Sequence, residues 1–234
     1  MSSRKILNEL RAQTTKVVAV ARNYRAHAAE LNNPVPAAPV FFMKATTSII
    51  EQGAPIKIPV GCANLSYEVE LAVLIGSRVS NVAARSAMEH VAGYAVALDM
   101  TARDFQSAAK SAGLPWFVAK SFDGACPLSS FVSKSELSGR FAVDQLPLWL
   151  TVNGELRQYG NTKDMIFGID ILMETISRHV TLVPGDILLT GTPEGVGQVT
   201  DGDVLTAGIG TFNRDENCKV EADQLVEMQF TVGA

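Results

Sequence analysis

The sequence predicts a mainly β, mixed α+β fold, and three observations carry that expectation. Short apolar or alternating runs of strand length recur along the chain, among them KVVAVA, SYEVELAVLIG, GYAVALDM, DILLTG and LVEMQFTV. Segments with helical spacing are fewer. The composition, 47% hydrophobic and 19% charged over 234 residues, is globular and supplies an ample core. With no internal repeat, low-complexity tract or boundary in view, residues 1–234 are expected to form a single domain.

Taken in order, KVVAVA reads as a buried strand, and ARNYRAHAAELNNPVP as a short helical or irregular segment closed by Asn and Pro. VFFMKATTSII and EQGAPIKIP suggest further short strands, SYEVELAVLIG follows, and a helix is expected from about Ala83 to Val91. GYAVALDM is another apolar strand with Asp99 at its end. TARDFQSAAKSAG reads as a helix opened by Thr101, with Asp104 three residues on as a variant capping box. KSFDGACPLSSFVS reads as loop and strand, and SKSELSGRFAVDQLP as a polar surface connection. In LWLTVNGELRQ, Asn153 and Gly154 stand between two alternating runs, a strong hairpin signal. Met165, Ile169, Leu172 and Ile176 recur at helical spacing and predict a core-facing helix ending near His179. After a turn at Pro184 and Gly185, DILLTG feeds the loop TPEGVGQ, and DGDVLTAGIG and LVEMQFTV supply the last strands.

A net charge of −4 without clustered Lys and Arg argues against nucleic acid as a partner. The opening residues MSSRKILNELRAQTTK lack the apolar segment of a secretory signal, and runs such as VVAVA are far too short to cross a bilayer. No membrane association and a cytoplasmic location are therefore expected. Cys62, Cys126 and Cys218 are isolated, with no CxxC pair, and read as reduced structural thiols.

Alternation puts Glu68 and Glu70 on one face of SYEVELAVLIG, where the two carboxylates repel. Either water reaches them at a solvated edge or a cation lies between them. With Asp99, from a second strand, they would make an all-carboxylate set. Oxygen-only ligation suits Mg²⁺ or Mn²⁺, and also Ca²⁺, over Zn²⁺; three unrelated surface acids are the plain alternative. His27 and Glu30, three apart, share one side if NYRAHAAE is helical, and the carboxylate can then orient the imidazole as a general base. From the spacing alone an ordinary solvent-exposed helical pair is the favoured reading. His90 and His179 fall at the ends of structural helices. Lys120 lies in the apolar WFVAKSFD, where an ammonium needs an anionic partner. Arg103 and Gln106 sit on the helix after Asp99. The loop TGTPEGVGQ offers backbone N–H groups and Thr192 to an anion, but has neither the Lys of a P-loop nor GxGxxG spacing. Alone, each of these also reads as a surface polar group.

Taken together and in this order, RNYRAHAAE, SYEVELAVLIG, GYAVALDMTARDFQ, GLPWFVAKSFD, LTVNGELRQ and LLTGTPEGVG resemble the fumarylacetoacetate hydrolase family, in its short acylpyruvase branch. The resemblance spans about residues 16–232, leaves 1–15 as an N-terminal extension, and lacks the separate N-terminal domain of longer relatives. It implies a mixed β-sandwich or roll, paired as a homodimer, with Mg²⁺ or Mn²⁺ on Glu68, Glu70 and Asp99. It further implies a water-activating dyad of His27 and Glu30 on a lid-like segment, an active-site Lys120, and substrate contacts from Arg103, Gln106 and Thr192. Ala21 stands where relatives often carry Gly, and Tyr67 where many carry His beside the first metal ligand; both bear on the pocket wall or lid hinge. The stretch GIGTFNRDENCKV also departs from the family pattern.

The implied reaction is cleavage of the carbon–carbon bond of an acylpyruvate, a 2,4-dioxo acid such as fumarylpyruvate or acetylpyruvate. His27 would deprotonate water, while the metal and Lys120 hold the departing pyruvate enolate. The same apparatus would bind oxaloacetate and support its decarboxylation or keto–enol interconversion. A non-catalytic metal-dependent binder is a third reading, against which His27 and Lys120 argue.

Overall fold

Along the strand Val69–Ile75 the side chains divide between two apolar cores. Val69, Leu71, Val73 and Ile75 enter the larger one, Ala72 and Leu74 the smaller, as the two-residue period of a strand requires. Every residue of the strand is buried, and each large aliphatic gains about 1.5–3 kcal/mol over exposure. The computed structural model describes residues 3–212 and 224–233.

Val69–Ile75 is central in an eight-stranded sheet. From one edge the order is Val40–Lys44, Val17–Ala21, Ile187–Leu189, Val69–Ile75, Val91–Leu98, Cys126–Leu128 and Ile49–Glu51, with Val132–Ser133 also paired to Val91–Leu98. A five-stranded sheet runs Glu155–Asn161, Pro147–Val152, Val204–Gly210, Gln224–Gly233 and Ile56–Lys57. A three-stranded one places Leu65–Tyr67 between Gly197–Val199 and Thr101–Ala102. The larger core joins the two main sheets, Leu71 and Val73 meeting Leu148, Leu150, Leu205 and Ala207. The result is the mixed, mostly β architecture that the sequence predicts.

Two registers matter for function. Val17–Ala21 runs parallel to Ile187–Leu189, and buried Asp186 fixes their relative height. Its carboxylate accepts from Thr15 N (3.2 Å), Thr15 Oγ1 (2.7 Å), Lys16 N (3.2 Å) and Val183 N (2.8 Å), and pairs with Lys16 Nζ (2.5 Å). Both strands then end where Val69–Ile75 begins. On its other side Val69–Ile75 pairs antiparallel with Val91–Leu98, Val69 opposite Leu98 and Glu70 opposite Ala97.

The Asn153–Gly154 hairpin forms as predicted, with φ of 53° and 78° at the two turn positions, the positive values that a two-residue turn of the primed type needs. Other elements differ from expectation. The helix over Ala83–Val91 shortens to Ala84–Ala87 and a 3-10 turn at Met88–His90. Thr101 is no helix cap: it lies in the strand Thr101–Ala102, and its hydroxyl donates to Asp99 O (3.1 Å). Asp104 instead accepts from Ala63 N (2.7 Å) and Phe105 N (3.0 Å), a tertiary partner displacing the local cap. The helix predicted from Met165 begins at Ile169 and buries Ile169, Leu172, Met173 and Ile176. The polar connection contains the helix Lys134–Ser138, capped by Ser133. Leu7, on the N-terminal helix Ser3–Arg11, enters the smaller core. Cys62 and Cys126 are free thiols; Cys218, with residues 213–220 of the atypical stretch, lies outside the described residues. Among the described residues no helix is long and apolar enough to cross a membrane.

Candidate active site

The antiparallel register that sets Val69 against Leu98 brings Glu68 opposite Asp99, whose backbone N–H donates to Glu68 O (2.8 Å). Opposed residues share a sheet face, and Glu70 shares it with Glu68 by alternation. Carboxylate oxygens of Glu68, Glu70 and Asp99 consequently lie within 4.8 Å of one another, all three side chains buried. The solvated-edge reading of Glu68 and Glu70 therefore does not hold. Glu68 itself sits between two strands, where the chain leaves the three-stranded sheet for the eight-stranded one.

Like charges at that separation repel by roughly 3–4 kcal/mol per pair at an effective dielectric near 20. Cations answer two of the three acids. Lys120 Nζ donates to Glu68 Oε2 (3.0 Å), Asp99 Oδ2 (2.5 Å) and Thr101 Oγ1 (2.6 Å), so all three of its N–H bonds are spent. Lys44 Nζ donates to Asp99 Oδ1 (2.5 Å), and Arg103 Nη2 to Glu68 Oε1 (2.5 Å). Burial opposes ionisation of Glu68, but Lys120 and Arg103 outweigh it and hold that carboxyl well below the usual range. Burial likewise opposes the Lys120 charge, and Asp99 and Glu68 overcome it, raising the ammonium above its ordinary value. Among the described residues Glu70 has no ion-pair partner: its Oε2 accepts Gly191 N–H (2.6 Å), and burial, with Asp99 and Glu68 beside it, outweighs the charge of Lys120 and pushes its carboxyl well above the ordinary range. A buried, all-oxygen set with one uncompensated acid is chemically suited to a hard divalent cation, so Glu68, Glu70 and Asp99 could hold a metal ion.

One cavity of about 280 Å³ is lined by His27, Glu68, Glu70, Arg103, Gln106, Lys120 and Thr192 together. Glu30 and Asp99 stand behind its wall. His27 lies on the six-residue helix Arg25–Glu30, buried, with Nδ1 3.0 Å from Glu30 Oε2. A carboxylate can only accept, so Nδ1 carries the proton and Nε2 has the free lone pair. Glu30 Oε1 also accepts Gly195 N–H (3.0 Å), tying this helix to the loop after Ile187–Leu189. Gly195 has φ of 91°, and a Cβ there would collide with the Arg157 carbonyl. Arg103 spends one arm on Glu68 and reaches Gln106 Oε1 with the other (3.3 Å).

Several residues at the site escape a reading of the sequence. Lys44 ends an apolar strand and looks like a strand terminus; its only signal is the one Lys120 gives, an ammonium in an apolar run. Gln158, on a hairpin arm, accepts from Val69 N (2.9 Å) and donates to Thr192 Oγ1 (2.9 Å) and Pro193 O (2.9 Å), clamping the loop to the acidic strand. Because the Thr192 oxygen accepts there, its own proton is left to donate. Asn23 donates to Thr190 O (2.8 Å) and Phe167 O (3.0 Å). Of the two single-residue departures from the family pattern, Ala21 lines the cavity but Tyr67 does not. Tyr67 is buried in the larger core with its hydroxyl against Gly197, where a Cβ would stand 2.5 Å from it.

Over residues 16–232 the chain matches the family described as fumarylacetoacetate (FAA) hydrolase, C-terminal. It is 52% identical over 203 residues to a mitochondrial oxaloacetate tautomerase of Oryza sativa subsp. japonica, covering 86% of this chain and 88% of the relative. To the mitochondrial oxaloacetate tautomerase of Rattus norvegicus it is 47% identical over 232 residues, covering 99% and 98%. To a mitochondrial oxaloacetate decarboxylase of Dictyostelium discoideum it is 45% identical over 201 residues, covering 86% and 91%. The fold is also that of the fumarylpyruvate hydrolase of Pseudomonas aeruginosa solved with Mn²⁺ and pyruvate, with a TM-score of 0.81 and 32% identity over 94% of this chain and 90% of that one. The relatives are mitochondrial by name, which overturns the cytoplasmic location expected from the sequence. That expectation weighs the secretory route alone.

Glu70→Gln removes the crowding charge and keeps the shape. The metal-free variant is expected to melt higher than metal-free wild type and to lose most of the stabilisation that Mg²⁺ or Mn²⁺ gives, about 2.7 kcal/mol at a hundred times Kd. The folded carboxyl of Glu70 is raised above its unfolded value, so between those values the native chain binds more protons. Stability of the metal-free wild type should therefore fall as pH rises above the ordinary carboxylate range, and that slope should vanish in the variant. Calorimetric melting with and without chelator checks both; an undiminished response to metal in the variant would remove Glu70 from the ligand set.

Proposed function

The chain belongs to the fumarylacetoacetate hydrolase family, and from that premise we propose that it acts on oxaloacetate, interconverting the keto and enol forms at the acid-lined cavity. The observation that carries this reading is the 47–52% identity to oxaloacetate tautomerases, against 32% to the fumarylpyruvate hydrolase. Oxaloacetate is thereby better supported than the acylpyruvate cleavage expected from the sequence.

Held by Glu68, Glu70 and Asp99, Mg²⁺ or Mn²⁺ would supply a Lewis acid that makes the C3 proton of a 2-oxo acid easier to remove. His27 is the base in this reading. Its Nε2 takes the proton from C3 and passes it to the oxygen at C2, and the reverse path regenerates the ketone. Glu30 keeps Nδ1 protonated, so the lone pair stays on the cavity side. Lys120, its donors spent on the site's own oxygens, contributes charge beside the forming enolate. Arg103 and Gln106 receive the substrate carboxylate, and the free hydroxyl proton of Thr192 donates to a substrate oxygen. In this reading the chain works as a homodimer, supported by exposed apolar Val40, Met43, Leu114 and Phe117 around the open sheet edge Val40–Lys44. A monomeric mass by sedimentation would remove that element.

The His27–Glu30 pair also suits activation of water, which keeps acylpyruvate cleavage as the second reading. Both are tested together by following loss of the oxaloacetate enol in ultraviolet absorbance with Mg²⁺, pyruvate release from oxaloacetate, and cleavage of acetylpyruvate and fumarylpyruvate. Tautomerisation should show the highest kcat/KM. His27→Ala should lower its kcat by about 10²–10⁴ with metal affinity intact. Faster acylpyruvate cleavage than tautomerisation, or a His27→Ala variant as active as wild type, would overturn the assignment.

A further inference from the structure

The cavity has a second set of charges that the proposed chemistry leaves unused. Arg103, Gln106 and Lys110 follow one another at i, i+3 and i+7 on the helix Arg103–Ser111, so one helix face is turned to the cavity and all three line it. Arg22, just past the strand Val17–Ala21, lines the same cavity as Lys110. Buried Glu68, Glu70 and Lys120 form the floor; Arg22 is half-buried and Lys110 exposed, which puts them at the mouth.

Among the described residues neither mouth cation takes part in an ion pair. Arg22 has one long hydrogen bond, Nη1 to Asn33 Oδ1 (3.4 Å), and Lys110 rests over the Trp116 ring at 5.1 Å. Burial lowers the Lys110 ammonium below its ordinary value, the charges of Arg103, Arg22 and Lys120 add to that, and Glu68 offsets them only in part. Arg22 is also fixed in place: its φ of 58° is a left-handed conformation that a long side chain adopts at a cost, and Asn23 beside it is clamped by Thr190 and Phe167.

We propose that Arg22 and Lys110 form an anion subsite at the cavity mouth that binds the second carboxylate of a dicarboxylic 2-oxo acid. The subsite rests on the oxaloacetate reading and sharpens it. With the 2-oxo acid end at the floor, a carboxylate two carbons beyond the carbonyl end points to the mouth, where a methyl group would leave both cations facing water. The site thus selects dicarboxylates over 2-oxo acids with an apolar tail.

Oxaloacetate and 2-oxobutyrate differ by that exchange of carboxylate for methyl. Calorimetric titration of the Mg²⁺-loaded protein should show oxaloacetate binding at least about tenfold tighter. Arg22→Gln and Lys110→Gln should each cut this preference about tenfold, through oxaloacetate affinity, leaving oxalate, which fills only the floor, within about twofold. Lys110→Arg should restore the preference. A wild-type preference near unity, an unchanged preference in the variants, or equal losses for oxalate and oxaloacetate would overturn the subsite. If Arg22→Gln does not fold, Lys110→Gln, at an exposed helical position, decides alone. Binding preference intact with no turnover of oxaloacetate would sink the substrate reading and leave the subsite standing.

Discussion

Glu68, Glu70 and Asp99 hold three carboxylates within 4.8 Å of one another below the surface, and most of the surrounding structure answers that crowding. Lys120 spans two of the acids, Lys44 reaches Asp99 from the neighbouring side, and Arg103 takes the outer oxygen of Glu68. Each ammonium would be too costly to bury without the carboxylates, and the carboxylates without the cations. Glu70 is left over, with one backbone N–H for company. Three cations lie on Glu68 and Asp99 while Glu70 stands outside these ion pairs, and it is the buried, all-oxygen donor set that suits a hard divalent cation, quite apart from any likeness to other proteins.

The same constraint explains why the acids are carried by the sheet and His27, the proposed base, is not. Strand register across Val69–Ile75 and Val91–Leu98 fixes Glu68 opposite Asp99, a placement supported on both sides by packed cores. His27 rides on a helix of six residues, too short to hold itself together in water. It is kept in position by tertiary ties: the Tyr24–Met165 bridge at its start and the Glu30–Gly195 bond at its end. The second tie holds Glu30, which in turn meets His27 Nδ1, so the proposed base is linked through its orienting carboxylate to the Thr192–Gly195 loop.

Much of this was legible in the residues, and the exceptions have physical causes. Alternation alone places Glu68 and Glu70 together, and the Asn153–Gly154 pair forms its hairpin, because both follow from local geometry. Asp99 joins the acids through register, which periodicity does not report. Lys44 and Gln158 are silent for the same reason: each acts on a residue far along the chain, Asp99 and Thr192 respectively. The capping role expected of Thr101 fails because Ala63 N–H, a tertiary partner, claims Asp104. Tyr67 turns out to be a core residue, since adjacent strand positions face opposite ways. The substrate was the least legible part, because acylpyruvates and oxaloacetate share the 2-oxo acid group and differ only beyond it.

The central claim, that Glu68, Glu70 and Asp99 would hold a divalent cation and so supply a Lewis acid to a 2-oxo acid, is most directly tested by the anomalous diffraction of Mn²⁺ in crystals grown with oxalate, a flat mimic of a pyruvate enolate. The account predicts one Mn²⁺ peak with carboxylate oxygens of Glu68, Glu70 and Asp99 at roughly 2.0–2.6 Å and the two oxalate oxygens bound to the same ion. A Mn²⁺ peak elsewhere, with the acids still occupied only by Lys44, Lys120 and Arg103, would contradict it.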